Sequence, residues 1–203
     1  RTLSDIVKNK AGIIKNNSKV FISAQNTKGI IDIILEETFR KNSKAYIFEP
    51  PQNISDFNHI NFEFAKFITL KLGIKFKDNL IFKNFDCRKQ LLRYRGLKII
   101  FDGAHTPLSI KMLLKSIQKT DYQIVLCGFM KDKKIKEMLD VIKAFGYKIF
   151  LSRSYSPRSF DPFKYRNYGC CFDRVDDAIK KILKYKKNFI VTGSLYFCSD
   201  VLK

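Results

Sequence analysis

The sequence lacks the long apolar segments that mark membrane and secreted proteins. No stretch reaches the roughly 18 uninterrupted apolar residues of a membrane-spanning helix, and residues 1–10 contain no apolar signal-peptide core. We therefore expect no membrane partner and a cytoplasmic protein. An initiator Met is also missing, and a helix-like pattern begins in mid-element, so we expect Arg1 to be a cut or processed start.

Cysteine pairs and histidines are scarce. The five cysteines are odd in number and none has CxxC spacing, which favours reduced thiols in a cytosolic protein over a disulfide framework. Only His59 and His105 could join the cysteines at a zinc site, so structural zinc is not expected.

Acidic residues are few: 19 against 39 Lys and Arg, which gives a formal net charge of +20. Such a charge is compatible with nucleic-acid binding. However, the lysines are spread along the whole chain, and the accompanying Asn, Ile and Phe are typical of AT-rich coding. We expect nucleic acid not to be the partner, with a basic nucleic-acid-binding α/β module as the alternative. A basic surface could also attract ATP or a polyanionic tail.

Apolar runs and amphipathic stretches alternate along 203 residues that are 45% hydrophobic. Strands are predicted at 19–23, 45–48, 98–101, 122–127, 147–151 and 188–192, and helices at 3–14, 27–41, 57–72, 107–118, 132–145, 174–186 and 194–202. Residues 74–97 are basic and irregular. This pattern predicts α/β architecture with a mostly parallel, Rossmann-like sheet in the second half.

Ligands of open α/β sheets bind beyond the carboxyl ends of the strands, so the turns there are candidate sites. Residues 102–107 read DGAHTP: Asp102 presents a carboxylate, His105 can donate to a phosphate or carboxylate, and Thr106 with Pro107 suits a helix start. The structural alternative is that Asp102 and Thr106 only bind backbone N–H groups as caps, and that His105 is a polar residue whose hydrogen bonds stay within the protein.

Two further turns follow predicted strands. Gly193 and Ser194 begin a helix whose free N–H groups could hold an anion. In the turn 128–133, Asp132 is predicted to cap the next helix.

Near the start of the chain, Lys10 precedes Ala-Gly at the end of a helix. Burial there would favour a neutral amine that can form a carbamate, whereas the structural alternative is a solvated lysine.

Together these segments resemble the folylpolyglutamate synthase and dihydrofolate synthase family of the Mur ligase superfamily. The shared segments occur in the family's order: KAGIIK (10–15), Arg88, DGAHTP (102–107), G-x-x-x-D-K (128–133), Pro157-Arg158 and TGSLY (192–196). The resemblance implies a ligase that activates a folate or dihydropteroate carboxylate with ATP and Mg²⁺ as an acyl phosphate, which the amine of L-glutamate then attacks. A Mur-type ligase of cell-wall precursors is the alternative.

The resemblance also implies roles for individual residues. Lys10 matches the family's carboxylated lysine beside magnesium, and Asn61, Arg88 and Asp102 match residues that contact ATP. His105 and Ser194 match catalytic positions that face the phosphates or the incoming glutamate. It further implies that residues 1–80 are the C-terminal part of an ATP-binding domain, that 81–97 connect the two domains, and that 98–203 form the glutamate-ligase domain. We expect the protein to be monomeric.

The sequence departs from the family pattern in places. Asn9 replaces a Glu before Lys10, and Cys87 stands where Gly precedes the arginine. No G-x-x-G-K-[ST] phosphate-binding loop occurs in the 203 residues. We therefore expect these residues to be inactive alone and active only as part of a longer chain, or as a subunit that needs a separate ATP-binding chain.

Overall fold

The structure, a computed structural model, describes residues 2–53, 57–75 and 86–203. The chain divides into two units, Arg1–Ile81 and Phe82–Lys203. Within the described ranges, no helix is both long and apolar enough to cross a membrane.

The described part of the first unit contains three helices and two parallel strands. They are α1 (Leu3–Ala11), β1 (Lys19–Ser23), α2 (Lys28–Arg40), β2 (Lys44–Phe48) and α3 (Phe57–Lys71). Helix α1 begins after Thr2, whose hydroxyl accepts from the Asp5 N–H at 3.2 Å while the Asp5 carboxylate accepts from the Thr2 N–H at 2.9 Å. Phe48 of β2 contacts Phe64 and Phe67 of α3, with ring centroids 5.2 and 5.5 Å away, so aromatic packing holds α3 on the strands.

The second unit is a six-stranded sheet with helices between the strands. Its elements are β3 (Gln90–Tyr94), β4 (Leu97–Phe101), α4 (Pro107–Lys115), β5 (Ile124–Cys127), α5 (Ile135–Ala144), β6 (Lys148–Ser152), β7 (Cys170–Phe172), α6 (Val175–Leu183), β8 (Phe189–Thr192) and α7 (Leu195–Leu202). A 3₁₀ turn spans Pro162–Tyr165. The strand order is β3-β4-β8-β5-β6-β7, and every pairing is parallel except that of β3 with β4. The predicted mostly parallel α/β fold is confirmed.

Successive residues of the central strands point to opposite faces, so the sheet has a core on each side. Val125 and Cys127 of β5 join the core that packs under α4 and α5. Ile124 and Leu126 join the core under α6 and α7. Burial on both faces explains why these strands are continuous apolar runs in the sequence.

The two edge strands differ from expectation. The prediction of an irregular segment over 74–97 is wrong for residues 90–94, which pair antiparallel with β4 as strand β3; residues 76–85 lie outside the described residues. Strand β7 was not predicted either. Both strands are largely exposed or half-buried, so neither carries the apolar run that identifies a central strand.

Candidate functional site

Three turns at the carboxyl ends of β4, β5 and β8 lie against one another. Three backbone hydrogen bonds join this edge: Asp102 N to Val191 O at 2.9 Å, Gly193 N to Ala104 O at 3.0 Å, and Gly128 N to Thr192 O at 3.1 Å. We call the three turns, residues 102–106, 128–133 and 193–194, the rim. The bonds show that three separate motifs of the sequence form one surface of the second unit.

Glycine permits the close approach of these turns. Gly193 has φ of +112°, and a side-chain carbon placed on it would lie 2.6 Å from the carbonyl oxygen of Gly128 and 2.9 Å from the Phe129 ring. A carbon on Gly103 would collide with the side chain of Leu195. A larger residue at 193 would therefore force the turns apart, whereas one at 103 would require the Leu195 side chain to move.

Asp102 holds the backbone of the rim with both carboxylate oxygens. One accepts from the Lys89 N–H at 3.0 Å and the other from the Ala104 N–H at 2.9 Å. Burial raises the pKa of the Asp102 carboxyl, while these two N–H groups and then the charges of Arg88 and Lys89 lower that pKa in part. Both oxygens of Asp102 therefore already accept hydrogen bonds from the protein's own backbone before any nucleotide binds.

Arg88 projects from a strained turn beside Asp102. Its neighbours Cys87 and Lys89 have φ of +58° and +49°, in the left-handed region, and the Cys87 carbonyl accepts from the Gly103 N–H at 2.8 Å. Glycine would adopt this conformation at position 87 without strain, which gives a physical reason for the family's Gly there and makes Cys87 the strained variant. Arg88 is exposed and, among the described residues, has no hydrogen bond or close ion pair, so its guanidinium is available to an anion.

The His105 ring is half-buried and fixed in one tautomer by the backbone. Its Nδ1 lies 2.8 Å from the Gly103 carbonyl oxygen. Because a carbonyl only accepts, Nδ1 must donate, which leaves Nε2 of the neutral ring as an acceptor. The predicted cap also forms: Thr106 accepts from the Ser109 N–H at 3.1 Å, and Pro107 begins α4.

Ser194 is buried and caps α7. Its hydroxyl oxygen accepts from the Phe197 N–H at 3.0 Å, and its own hydroxyl hydrogen remains able to donate. The contacts of the structural alternative are thus present for Asp102, Thr106 and His105. They leave His105 Nε2 and the hydroxyl hydrogen of Ser194 able to bond to a ligand.

The other two predicted residues lie in the first unit. Lys10 is exposed near the end of α1, and Asn61 is exposed on α3. Lys10 is therefore solvated within this unit, as in the structural alternative, because the buried face of α1 is formed by Val7 and Ala11. The functional roles of Lys10 and Asn61 stay predictions.

Asp132 does not cap α5. Its carboxylate accepts from the Arg158 guanidinium at 3.0 Å and pairs with Lys133 at 3.1 Å, and the helix begins only at Ile135. The backbone N–H of Lys131 also donates to the Arg158 carbonyl at 2.9 Å. Arg158 thus ties the loop after β6 to the rim, and the Pro157-Arg158 motif was the available signal for it.

Asp200 supports the same edge and was not predicted. Only 9% of its side chain is exposed, and its carboxylate accepts from the Ser154 hydroxyl at 2.6 Å and the Tyr155 N–H at 2.9 Å. It anchors the loop that follows β6 to α7. No motif of the sequence marks it, because its partners lie about 45 residues away in the chain.

The family model described as "Mur ligase, glutamate ligase domain" matches residues 87–194. No curated protein sequence matches the chain.

Solved folylpolyglutamate synthases share the fold. A folylpolyglutamate synthase from Thermotoga maritima is 19% identical with a TM-score of 0.70 over 99% of this chain and 57% of that one. The Mycobacterium tuberculosis folylpolyglutamate synthase complexed with ADP and AMPPCP is 12% identical, with a TM-score of 0.78 over 98% and 59%. A bifunctional folylpolyglutamate synthase/dihydrofolate synthase with Mn, AMPPNP and L-glutamate bound is 15% identical, with a TM-score of 0.80 over 100% and 57%. The chain therefore spans a little over half the length of each.

Proposed function

Because this chain belongs to the Mur ligase family through its glutamate ligase domain, residues 87–194, we propose that it takes part in joining L-glutamate to the carboxylate of folate or dihydropteroate at the expense of ATP. The observation that carries the proposal is the rim, where Asp102, His105 and Ser194 come from two strand ends, with Arg88 beside Asp102. In an open α/β sheet this edge is where ligands bind.

Two observations support the folate branch and the use of glutamate. The solved relatives are folylpolyglutamate synthases, and one contains AMPPNP, manganese and L-glutamate together. The segments KAGIIK and TGSLY also resemble that branch more than the cell-wall ligases.

The proposed chemistry forms an acyl phosphate and then an amide. The acceptor carboxylate attacks the γ-phosphorus of ATP and ADP leaves; the glutamate amine then attacks the acyl carbon and phosphate leaves. Arg88 would stabilise the phosphoryl oxygens because its guanidinium has no partner in the described part of the chain. His105 would accept the proton that the amine loses, because its Nε2 is the acceptor nitrogen. The Ser194 hydroxyl would donate to a carboxylate or phosphate oxygen.

We propose that Mg²⁺ accompanies ATP, that Lys10 as a carbamate supports the cation, and that Asn61 contacts ATP. Bound there, the cation would withdraw charge from the phosphoryl oxygens. Across residues 2–53, 57–75 and 86–203, however, no three His, Cys, Asp or Glu side chains form a metal-ligand group. Exposed Lys10 could supply one oxygen ligand as a carbamate, so the described residues offer one ligand for the cation and not a complete set.

The decisive experiment measures ADP release and product mass with L-glutamate and each of three acceptors: dihydropteroate, a folate and a muramyl precursor. It uses the complete protein that carries these residues, or this chain mixed with a chain that supplies the phosphate-binding loop. We expect amide product with a pteroate acceptor, and none from the 203 residues alone. Product formed only with the muramyl precursor would refute the folate assignment and support a ligase of cell-wall precursors.

A pair of arginines provides a matched control. Arg88→Met should lower turnover about 10²-fold or more by removing charge from the phosphoryl oxygens, whereas Arg93→Met, which removes an exposed charge from β3, should not. Equal turnover in the two variants would show that Arg88 does not stabilise the phosphoryl oxygens.

A further inference from the structure

A second concave site lies at the opposite edge of the same sheet. A cavity of about 540 Å³ opens where β5 and β6 begin, beside Ile124 and Lys148, and where Lys187 precedes β8. The rim is at the other ends of these strands, about 15 Å away for strands of four or five residues. The cavity therefore belongs to no part of the proposed ligase site.

Three lysines converge on this cavity: Lys119, Lys148 and Lys187. No acidic residue lines it, and none of the three forms an ion pair with any acidic residue that the structure describes. A carbon placed on Gly146 would lie 2.5 Å from the Lys119 ammonium nitrogen, so that nitrogen rests directly against the floor of the cavity. Three unpaired charges in one concavity attract anions more strongly than the same charges dispersed over a surface.

Aromatic packing fixes the position of one of these lysines. The Lys148 ammonium lies 4.0 Å from the centre of the Tyr185 ring, and that ring meets Phe150 edge-on at 5.8 Å. A cation held over an aromatic face loses less conformational freedom on binding than a free lysine. Thr120 and Gln123 add polar side chains to the wall.

The positive surface continues beyond the cavity. A second hollow, of about 320 Å³, is lined by Arg95 and Lys186, and Lys186 is the chain neighbour of Lys187.

We propose that this cavity binds a small anion that carries two or more linked phosphate groups, such as an inorganic phosphate chain or the phosphates of a nucleotide. Linked phosphate groups carry several negative charges within a short length, and the three lysines of the cavity, Lys119, Lys148 and Lys187, supply several positive point charges within one concavity. Its volume lies within the 300–1,000 Å³ range of small-molecule sites.

The test titrates inorganic tripolyphosphate into the 203-residue chain by calorimetry at 150 mM salt. The variant Lys119→Gln/Lys148→Gln should weaken binding at least tenfold. The control Lys111→Gln/Lys164→Gln removes the same charge from exposed positions outside the cavity and should change the affinity less than twofold. Equal loss in both variants would show that net charge and not the cavity binds the anion.

Three other ligands distinguish the source of the anion. ATP that binds as tightly as tripolyphosphate, and equally weakly to the cavity variant, supports the phosphate chain as the recognised group. Triglutamate that binds as tightly would overturn the preference for phosphate. Single-stranded RNA that binds more tightly per molecule than tripolyphosphate, and loses affinity in the cavity variant, would overturn the small-anion assignment in favour of nucleic acid.

Discussion

Replacing Gly193 with alanine tests the packing of the rim most directly. The new methyl carbon would stand 2.6 Å from the Gly128 carbonyl oxygen, on a residue whose φ is +112°. The backbone strain costs about 1–3 kcal/mol and the collision about 1–3 kcal/mol. A loss of about 4 kcal/mol in the free energy of unfolding corresponds to about a thousandfold change in the unfolding equilibrium.

Cysteine alkylation reports this loss for the second unit alone. All five cysteines lie in that unit, and Cys127 has no exposed surface. Its alkylation, followed by peptide mass spectrometry, therefore measures how often the unit opens. We expect Gly193→Ala to accelerate the reaction of Cys127 by about a thousandfold, since stability is about 4 kcal/mol lower.

Two other glycines separate the strain from the collision. Gly96 has φ of +79° with nothing within 4 Å of an added carbon, so Gly96→Ala should cost only about 1–2 kcal/mol of strain. Gly29 lies in α2 of the first unit, with open space around it and no positive φ, and Gly29→Ala should leave Cys127 unaffected. If Gly193→Ala accelerated the reaction no more than Gly96→Ala, the close contact between the turns would be refuted.

Three further measurements test the site. Alkylation of the native chain should modify exposed Cys170 first and spare Cys127 and Cys198, because burial raises the pKa of the latter two thiols; early reaction of Cys127 would contradict the fold. Ser194→Ala should lower the free energy of unfolding by about 1 kcal/mol because the helix cap is lost, and Ser194→Gly should lower it less. Equal stability of the serine and alanine forms in the alkylation assay would show that Ser194 does not stabilise α7 as a cap. Because the pKa of Asp102 is raised in the folded protein, the free energy of unfolding of the wild type falls as pH rises from the ordinary value of 3.8 through that raised pKa. Asp102→Asn should therefore gain stability relative to wild type over that interval; a difference that is constant with pH would refute the raised pKa.

Elements that are buried on both faces could be predicted from the sequence alone. The runs around Val125 and Ile190 are uninterrupted because each residue faces a core, and such runs are visible without coordinates. The start of α4 was equally visible, since Thr106 and Pro107 determine a cap through contacts within four residues. Strand β3 was missed because Leu91, Arg93 and Tyr94 are exposed, so the strand has no buried apolar run that identifies it.

The candidate rim was predicted as a set of motifs, and local chemistry was enough to name Asp102, His105 and Ser194. Whether those motifs meet depends on strand order, which places β8 between β4 and β5 although it comes last of the three in the chain. Likewise, only the tertiary structure showed that Asp102 binds two backbone N–H groups and that Arg158 reaches Asp132. Such contacts join residues distant in the chain, and no local preference of the backbone records them.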